Sequence, residues 1–346
     1  MSALDGTRAA NESDAIEGVD AIMRRGGQSL RERLARVELH LEDVTASSGT
    51  PLAKHANATV RAGGKRLRPL LVVLAAESVG GPTPTPAGEE RLVRAAVAVE
   101  LVHSATLVHD DLIDGAQLRR GQPTVAAEAG RDVAVATGDL LFSLAFAELA
   151  RNESATQLRA LSDASSALAA GELLQREDAY AAHVAVERYL RRCELKTAAL
   201  FEAACRLGAL TAADGSPQLA DALGAFARRI GLAFQMLDDV LDVSGPVERT
   251  GKARGTDLLD GTVTLPFILA REREPELASF DLAALRTPEQ AEELCERIAA
   301  TGALDEARER ALGVVAEAKA ALPAILPDGR AGLLDLVADV AVERYR

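Results

Sequence analysis

The pattern that most restricts this chain occurs twice. The stretches "LVRAAVAVELVHSATLVHDDLID" (92–114) and "LADALGAFARRIGLAFQMLDDVLD" (219–242) are long apolar segments, and each ends in DDxxD. The first supplies Asp110, Asp111 and Asp114, the second Asp238, Asp239 and Asp242. On a helix the i,i+4 pairs lie about 40° apart, so Asp110 shares a face with Asp114, and Asp238 with Asp242. Like charges at that spacing repel, and the C-terminal end of a helix dipole adds to the cost. A fold that keeps both segments must bury two long helices and bring positive charge to their ends. One DDxxD also reads as a solvated acidic face. Two copies behind apolar runs point instead to hard divalent cations held by carboxylate oxygen, with phosphate oxygens completing their shells. The expectation is two facing walls of a Mg²⁺–diphosphate site.

The rest of the chain agrees with helices. Aromatics are 3% of 346 residues, Trp is absent, and alanine and leucine dominate over the residues that favour strands. "GQSLRERLARVELHLEDV" places apolar residues at 30, 34, 37, 39 and 41, near helical spacing. "PLLVVLAAESVGG" predicts a helix opening with Pro69 at its first position and closing at Gly80 and Gly81. With no fixed short repeat, no GxGxxG and no strand–helix alternation, the predicted fold is all-α, a single-domain bundle of ten or more helices. Residues 1–24 are polar and weakly patterned and are expected to form a mobile extension; 25–346 form the helical domain.

Several classes are excluded. A net charge of −13 argues against nucleic acid, which needs clustered Lys and Arg. No unbroken apolar run approaches the ~18 residues of a membrane span, and the N-terminus lacks the pattern of a secretory signal, so no transmembrane segment and a cytoplasmic location are expected. Cys193, Cys205 and Cys295 form no CxxC pair and read as small core hydrophobes.

An anionic substrate then needs local positive charge, which two motifs supply. "RAGGKRLRPLL" sets Lys65, Arg66 and Arg68 just ahead of a helix N-terminus, where free N–H groups favour an anion. It is not a Walker A loop, because Arg66 stands where Ser or Thr would follow the lysine. "LRRGQP" adds Arg119 and Arg120 just beyond the first aspartate cluster.

With these in view, the chain resembles the trans-polyprenyl diphosphate synthases, the isoprenoid chain-elongating family, from about residue 60 to 270. The motifs "GGKRLRP", "HDDLIDGAQLRRGQPT", "GDLLF", "GELLQ", "LKTAALFEAAC", "FQMLDDVLD" and "GTDLLDGTVTLP" stand in the family's order. The resemblance implies a helical bundle around a central apolar cavity, a homodimer, and about three Mg²⁺ ions per site held by Asp110, Asp114, Asp238 and Asp242, with Asp111 and Asp239 in support. Arg119, Lys196, Thr197, Gln235 and Lys252 match positions that contact the allylic diphosphate. Lys65, Arg68, His103 and Arg120 match those that hold isopentenyl diphosphate. Asp110, Asp114, Asp238, Lys196 and Lys252 are the expected catalytic set, and His109 is expected to be structural. Many relatives carry lysines where this chain has Thr256 and Thr262, with Arg254 a neighbouring substitute.

The implied reaction ionises the allylic diphosphate, joins the resulting cation to the double bond of isopentenyl diphosphate, and releases a proton, lengthening the chain by one C5 unit. Ala105, five residues before Asp110 and about 7.5 Å down the helix, and Thr106 are both small where short-chain members commonly place an aromatic. They suggest an open channel and a product of about C30 to C50, with Phe142 and Phe146 as candidates for its floor. The alternatives are a short-chain C15–C25 synthase, a class I terpene cyclase and a non-catalytic subunit of a heteromeric synthase. A cyclase normally lacks a second DDxxD, and a non-catalytic subunit would be expected to have lost carboxylates; both clusters are intact here.

Overall fold

A computed structural model describes residues 4–181, 183–245, 254–326 and 330–343. They form helices α1 (Leu4–Ala46), α2 (Ala53–Arg61), α3 (Leu67–Ser78) and α4 (Pro86–Ile113), then the two-residue strands β1 (Leu118–Arg119) and β2 (Gln122–Pro123). There follow α5 (Val125–Ala129), α6 (Arg131–Ala150), α7 (Ala155–Asp178), α8 (Val186–Cys193), a π-helical turn (Glu194–Ala198), α9 (Ala199–Thr211) and α10 (Pro217–Ser244). The remainder is α11 (Thr256–Leu259), α12 (Leu265–Arg273), α13 (Pro275–Ala278), a 3₁₀ turn (Leu282–Ala284), α14 (Pro288–Ala300), α15 (Ala303–Ile325) and α16 (Gly332–Glu343). The all-α expectation holds, with one small hairpin as its exception.

The two aspartate-bearing segments are the central helices. Each starts on a side-chain cap with proline at its first position: Thr85 accepts from the Gly88 N–H at 3.1 Å before Pro86, and Ser216 accepts from the Leu219 N–H at 3.2 Å before Pro217. α4 packs on α6, α9 and α3, and α10 packs on α9 and α15. Leu92, Val97, Leu101 and Ala105 on α4, and Leu223, Ile230 and Leu237 on α10, are fully buried in one continuous core. Gly208 lets α9 lie against α3, because a Cβ there would fall 2.1 Å from the Val72 carbonyl oxygen.

Three sequence expectations shift. Pro69 stands third in α3, because Arg66 caps the helix in a left-handed conformation (φ +47°) and starts it earlier; a first-turn proline loses no helical hydrogen bond. α1 begins at Leu4, inside the segment set apart as an extension, bends at Gly27 (φ +70°), and already buries Ile22. Two helices, α4 and α6, are long and apolar enough by length and composition to span a membrane. Counting only unbroken apolar runs misses them, since charged residues interrupt both. The apolar window of α4 is 72% buried inside this protein, as a core helix requires, whereas that of α6 is 39% buried.

Candidate active site

The first wall is the C-terminal end of α4. Asp114 caps the helix, its N–H on the Asp110 carbonyl at 2.8 Å, and Gly115 follows at φ +67° to turn the chain away. Asp110 is half-buried. Burial pushes its carboxyl up to about 6; Lys196 and Arg119 oppose the rise, while Glu172 and Asp114 reinforce it. Asp111 is buried and accepts from Arg119 Nε at 2.6 Å. Asp114 pairs with Arg176 of α7.

Arg119 reaches Asp111 because "LRRGQP" forms a hairpin. Arg119 pairs with Gln122, and the turn residues Arg120 and Gly121 both have positive φ (+52° and +76°), as in the two-residue turns that suit strand twist. The turn lays the Arg120 guanidinium against Gly64 of "GGKRLRP", where a Cβ would fall 2.8 Å from it. Gly64 thus admits an arginine from another segment.

The second wall is the C-terminal end of α10. Asp239 is buried and accepts from the Tyr189 hydroxyl at 2.7 Å and from Gln235 Nε2 at 2.8 Å. Burial raises its carboxyl to about 7, with the Asp257 charge adding and the two hydrogen bonds opposing. Thr197 donates to Gln235 Oε1 at 2.7 Å, which orients that amide toward Asp239. Lys196 and Thr197 project from the π-helical turn, a local insertion of the kind often found at functional sites. Gly171 of "GELLQ" permits the approach of α7, since a Cβ there would fall 2.6 Å from the Lys196 nitrogen, and Glu172 then pairs with Lys196.

The two walls meet. Asp114 from α4 and Asp238 and Asp239 from α10 line one cleft of about 160 Å³, together with Lys196, Thr197 and Gln235. Asp242 is not among its lining residues; its Oδ2 accepts from the Asp257 N–H at 3.2 Å, and its carbonyl from the Gly255 N–H at 2.9 Å. Thr262 lines the cleft. Arg254 turns to the Val243 carbonyl at 3.0 Å and to Glu292 at 3.8 Å. Lys252 lies outside the described residues.

The donor set on both walls is carboxylate oxygen, the hard set that suits Mg²⁺. Among the described residues no three His, Cys, Asp or Glu side chains converge into a protein-only cage. That arrangement fits a cation that takes one or two carboxylates and fills its shell with diphosphate oxygens.

A separate basic patch gathers around His103. Arg68 stacks over the Phe201 ring at 5.0 Å, and its buried Nε has no hydrogen-bond partner. Burial lowers its guanidinium to about 10, against the pull of Glu100. Burial, then the charges of Arg68, Arg120, Arg119 and Arg66, hold the His103 imidazole well below 6.5 and therefore neutral. Burial also lowers Arg120. Lys65 is exposed at the entrance to α3. Arg66, in the same motif, is committed to structure: it bonds Glu38 and Glu100, each at 2.7 Å, and the Val60 carbonyl at 2.7 Å. Ala105 is fully buried, and Thr106 donates to the His103 carbonyl at 2.8 Å. His109 packs against Gly138 of α6, and its ring lies 6.0 Å from that of half-buried Phe142; Phe146 is half-buried on the same helix.

Tyr189, Glu172, Arg176 and Asp257 are the site neighbours that motif reading missed. Glu172 stood within a quoted motif, and Arg176 follows it at i,i+4; Tyr189 lies seven residues, two helical turns, before Lys196.

An all-α bundle with two aspartate-tipped helices facing one cleft is the architecture of the isoprenyl diphosphate synthases, a class of prenyltransferases. The chain belongs to the polyprenyl synthetase family, whose model matches residues 50–301. It is 41% identical to heptaprenyl diphosphate synthase component 2 of Geobacillus stearothermophilus, over 71% of this chain and 74% of that one. It is 35% identical to the geranylgeranyl diphosphate synthase of Methanosarcina mazei, over 91% and 97% respectively. Among solved structures, the polyprenyl synthase of Caulobacter crescentus CB15, complexed with calcium and isoprenyl diphosphate, superposes with a TM-score of 0.85 at 35% identity, covering 95% of this chain and 98% of that one.

Proposed function

We propose that this enzyme condenses isopentenyl diphosphate with an allylic prenyl diphosphate, head to tail and in trans, and extends the product to about C30 to C50. The observation that carries this reading is the division of the site: a cleft lined by Asp114, Asp238 and Lys196, and a distinct patch of Arg68, His103 and Arg120. Two diphosphates of unlike role need two such places. In the cleft, Lys196 and Thr197 present donors to the allylic diphosphate as charge develops on it. Mg²⁺ held by Asp110, Asp114 and Asp238, with Asp242 beside them, would act as Lewis acid on the departing oxygens. At the patch, Arg68 and Arg120 neutralise the second diphosphate, while neutral His103 donates a hydrogen bond without adding repulsion among the arginines. The apolar helices above exclude water from the cation that remains.

The small pair Ala105 and Thr106 supports the longer product. The relatives include heptaprenyl and geranylgeranyl diphosphate synthases, so product sizing is the direct test. The purified chain incubated with isopentenyl and farnesyl diphosphates should give prenyl diphosphates of C30 or longer, and Ala105→Phe should shorten them toward C20 while the first condensation continues. A wild-type product that stops at C20 overturns the length assignment. A homodimer in the cytoplasm belongs to the same proposal. A relative named "component 2" makes a heteromeric assembly the competing reading, and turnover by this chain alone decides against it.

A further inference from the structure

Arg176 sits where the mechanism above assigns it nothing. It lies on α7 four residues after Glu172, and its Nε bonds Glu172 Oε1 at 3.0 Å, an ordinary i,i+4 pair. Its NH2 group, however, reaches across to α4 and pairs with Asp114 Oδ1. Asp114 lines the cleft and shares a helix face with Asp110, so the arginine's second partner is one of the carboxylates assigned to the cation. A guanidinium on Oδ1 takes up one of that carboxylate's acceptor sites and offsets the negative charge a metal ion would use.

The surroundings make the contact reversible. The Arg176 and Asp114 side chains are 40% and 35% exposed, so the bridge stands at the mouth of the cleft in water. Release leaves Arg176 on Glu172, which is 16% exposed and also bound by Lys196. The first wall holds a contrasting pair: Arg119 meets an Asp111 that is only 7% exposed, in a place where a cation could not replace it without burying itself.

Resting on the reading of this cleft as a metal–diphosphate site, we propose that Arg176 is a tethered counterion that occupies Asp114 until metal binds, competes with it, and so sets the metal affinity of the first cluster. It relieves the repulsion between Asp110 and Asp114 at the end of α4 in the metal-free enzyme, and gives up Asp114 when a divalent cation takes over that task.

The test is a titration of the full chain with Mn²⁺, free ion being read by electron paramagnetic resonance. Arg176→Gln should lower the dissociation constant about two- to fivefold, the range expected for a half-exposed ion pair. Arg176→Lys keeps the charge and should stay at the wild-type value. In an Asp114→Ala background the Gln substitution should change nothing, which separates competition at Asp114 from a general change in charge. Far-UV circular dichroism confirms that each variant is folded. An unchanged or weaker affinity in Arg176→Gln, a Lys variant as tight as the Gln variant, or a Gln effect that persists without Asp114 overturns the proposal. Mn²⁺ uptake by the wild type with no gain in the Gln variant defeats this inference alone; no uptake by the wild type, with or without inorganic diphosphate, defeats the metal reading of the cleft along with it.

Discussion

Asp111 and Asp239 hold the same place in two copies of one motif, and the fold treats them differently. Both are the second aspartate of a DDxxD, and both are about 95% buried. Asp111 is held by a cation, Arg119. Asp239 is held by neutral donors, the Tyr189 hydroxyl and the Gln235 amide. At Asp239 burial, with the Asp257 charge adding, raises the carboxyl to about 7 against the pull of its two hydrogen bonds and of Arg192. The motif therefore fixes where carboxylates stand, and the neighbours that reach each one fix how it is held.

The largest expected effect tests what the walls share. Asp110→Ala or Asp238→Ala should lower turnover by about a thousandfold, the scale of losing an electrostatic element that acts on the transition state, with circular dichroism unchanged. A variant that keeps near wild-type kcat at saturating Mg²⁺ would falsify the assignment of that wall.

Next comes the division between cleft and patch. Lys65→Ala and His103→Ala should raise KM for isopentenyl diphosphate by about tenfold, near the worth of one hydrogen bond to a charged group, and KM for the allylic primer much less. Equal effects on the two substrates would mean that the patch and the cleft serve one diphosphate.

The comparison of Asp111 with Asp239 yields a sharper test in stability. Arg119→Gln strands a buried carboxylate and should cost about 1–2 kcal/mol, discounted because the arginine is one-third exposed. Tyr189→Phe removes one of two donors and should cost about as much. Salt separates them: raising ionic strength should shrink the Arg119 effect and leave the Tyr189 effect nearly unchanged. Parallel behaviour in urea melts across salt concentrations would show that the two aspartates are held alike.

How much of this was legible beforehand follows from which forces act locally. Caps, prolines and apolar runs define α4 and α10 along the chain, so both helices and their aspartates could be read directly. The hairpin at Arg119 rests on two residues, Arg120 and Gly121, too short for any period to reveal. The π turn at Glu194–Ala198 differs from α-helix by one inserted residue and leaves no mark in the pattern. Tyr189 and Arg176 matter because α8 and α7 bring them to α10 and α4, a contact that spacing along one helix does not encode. Even "GGKRLRP" divides only in three dimensions: Arg66 is spent on Glu38 and Glu100, while Arg68 keeps an unpartnered Nε.

The smallest effect concerns pH and belongs to the patch. His103 is desolvated and faces Arg68, Arg120, Arg119 and Arg66, which together hold its imidazole well below 6.5. In the unfolded chain that imidazole takes up a proton below about 6.5, so there the unfolded state binds more protons than the native one and stability falls as pH falls. Above that value the contribution is complete and flat. Asp110 and Asp239 act with the opposite sign, because their raised folded values let the native state hold protons that the unfolded state has released between roughly pH 4 and 6 to 7. The wild-type profile mixes the two, so the difference between variants is the informative quantity. His103→Gln should remove the histidine part and gain on the wild type by about 1 kcal/mol between pH 7 and 5.5, roughly half of the limit of 1.36 kcal/mol per pH unit for one proton, because the imidazole of the unfolded chain titrates only partway through that window. Urea denaturation at both pH values measures it, and a gap between the variant and the wild type that does not change with pH would show that the imidazole titrates alike in the folded and unfolded chain, in which case the arginines around it are not packed as closely as described.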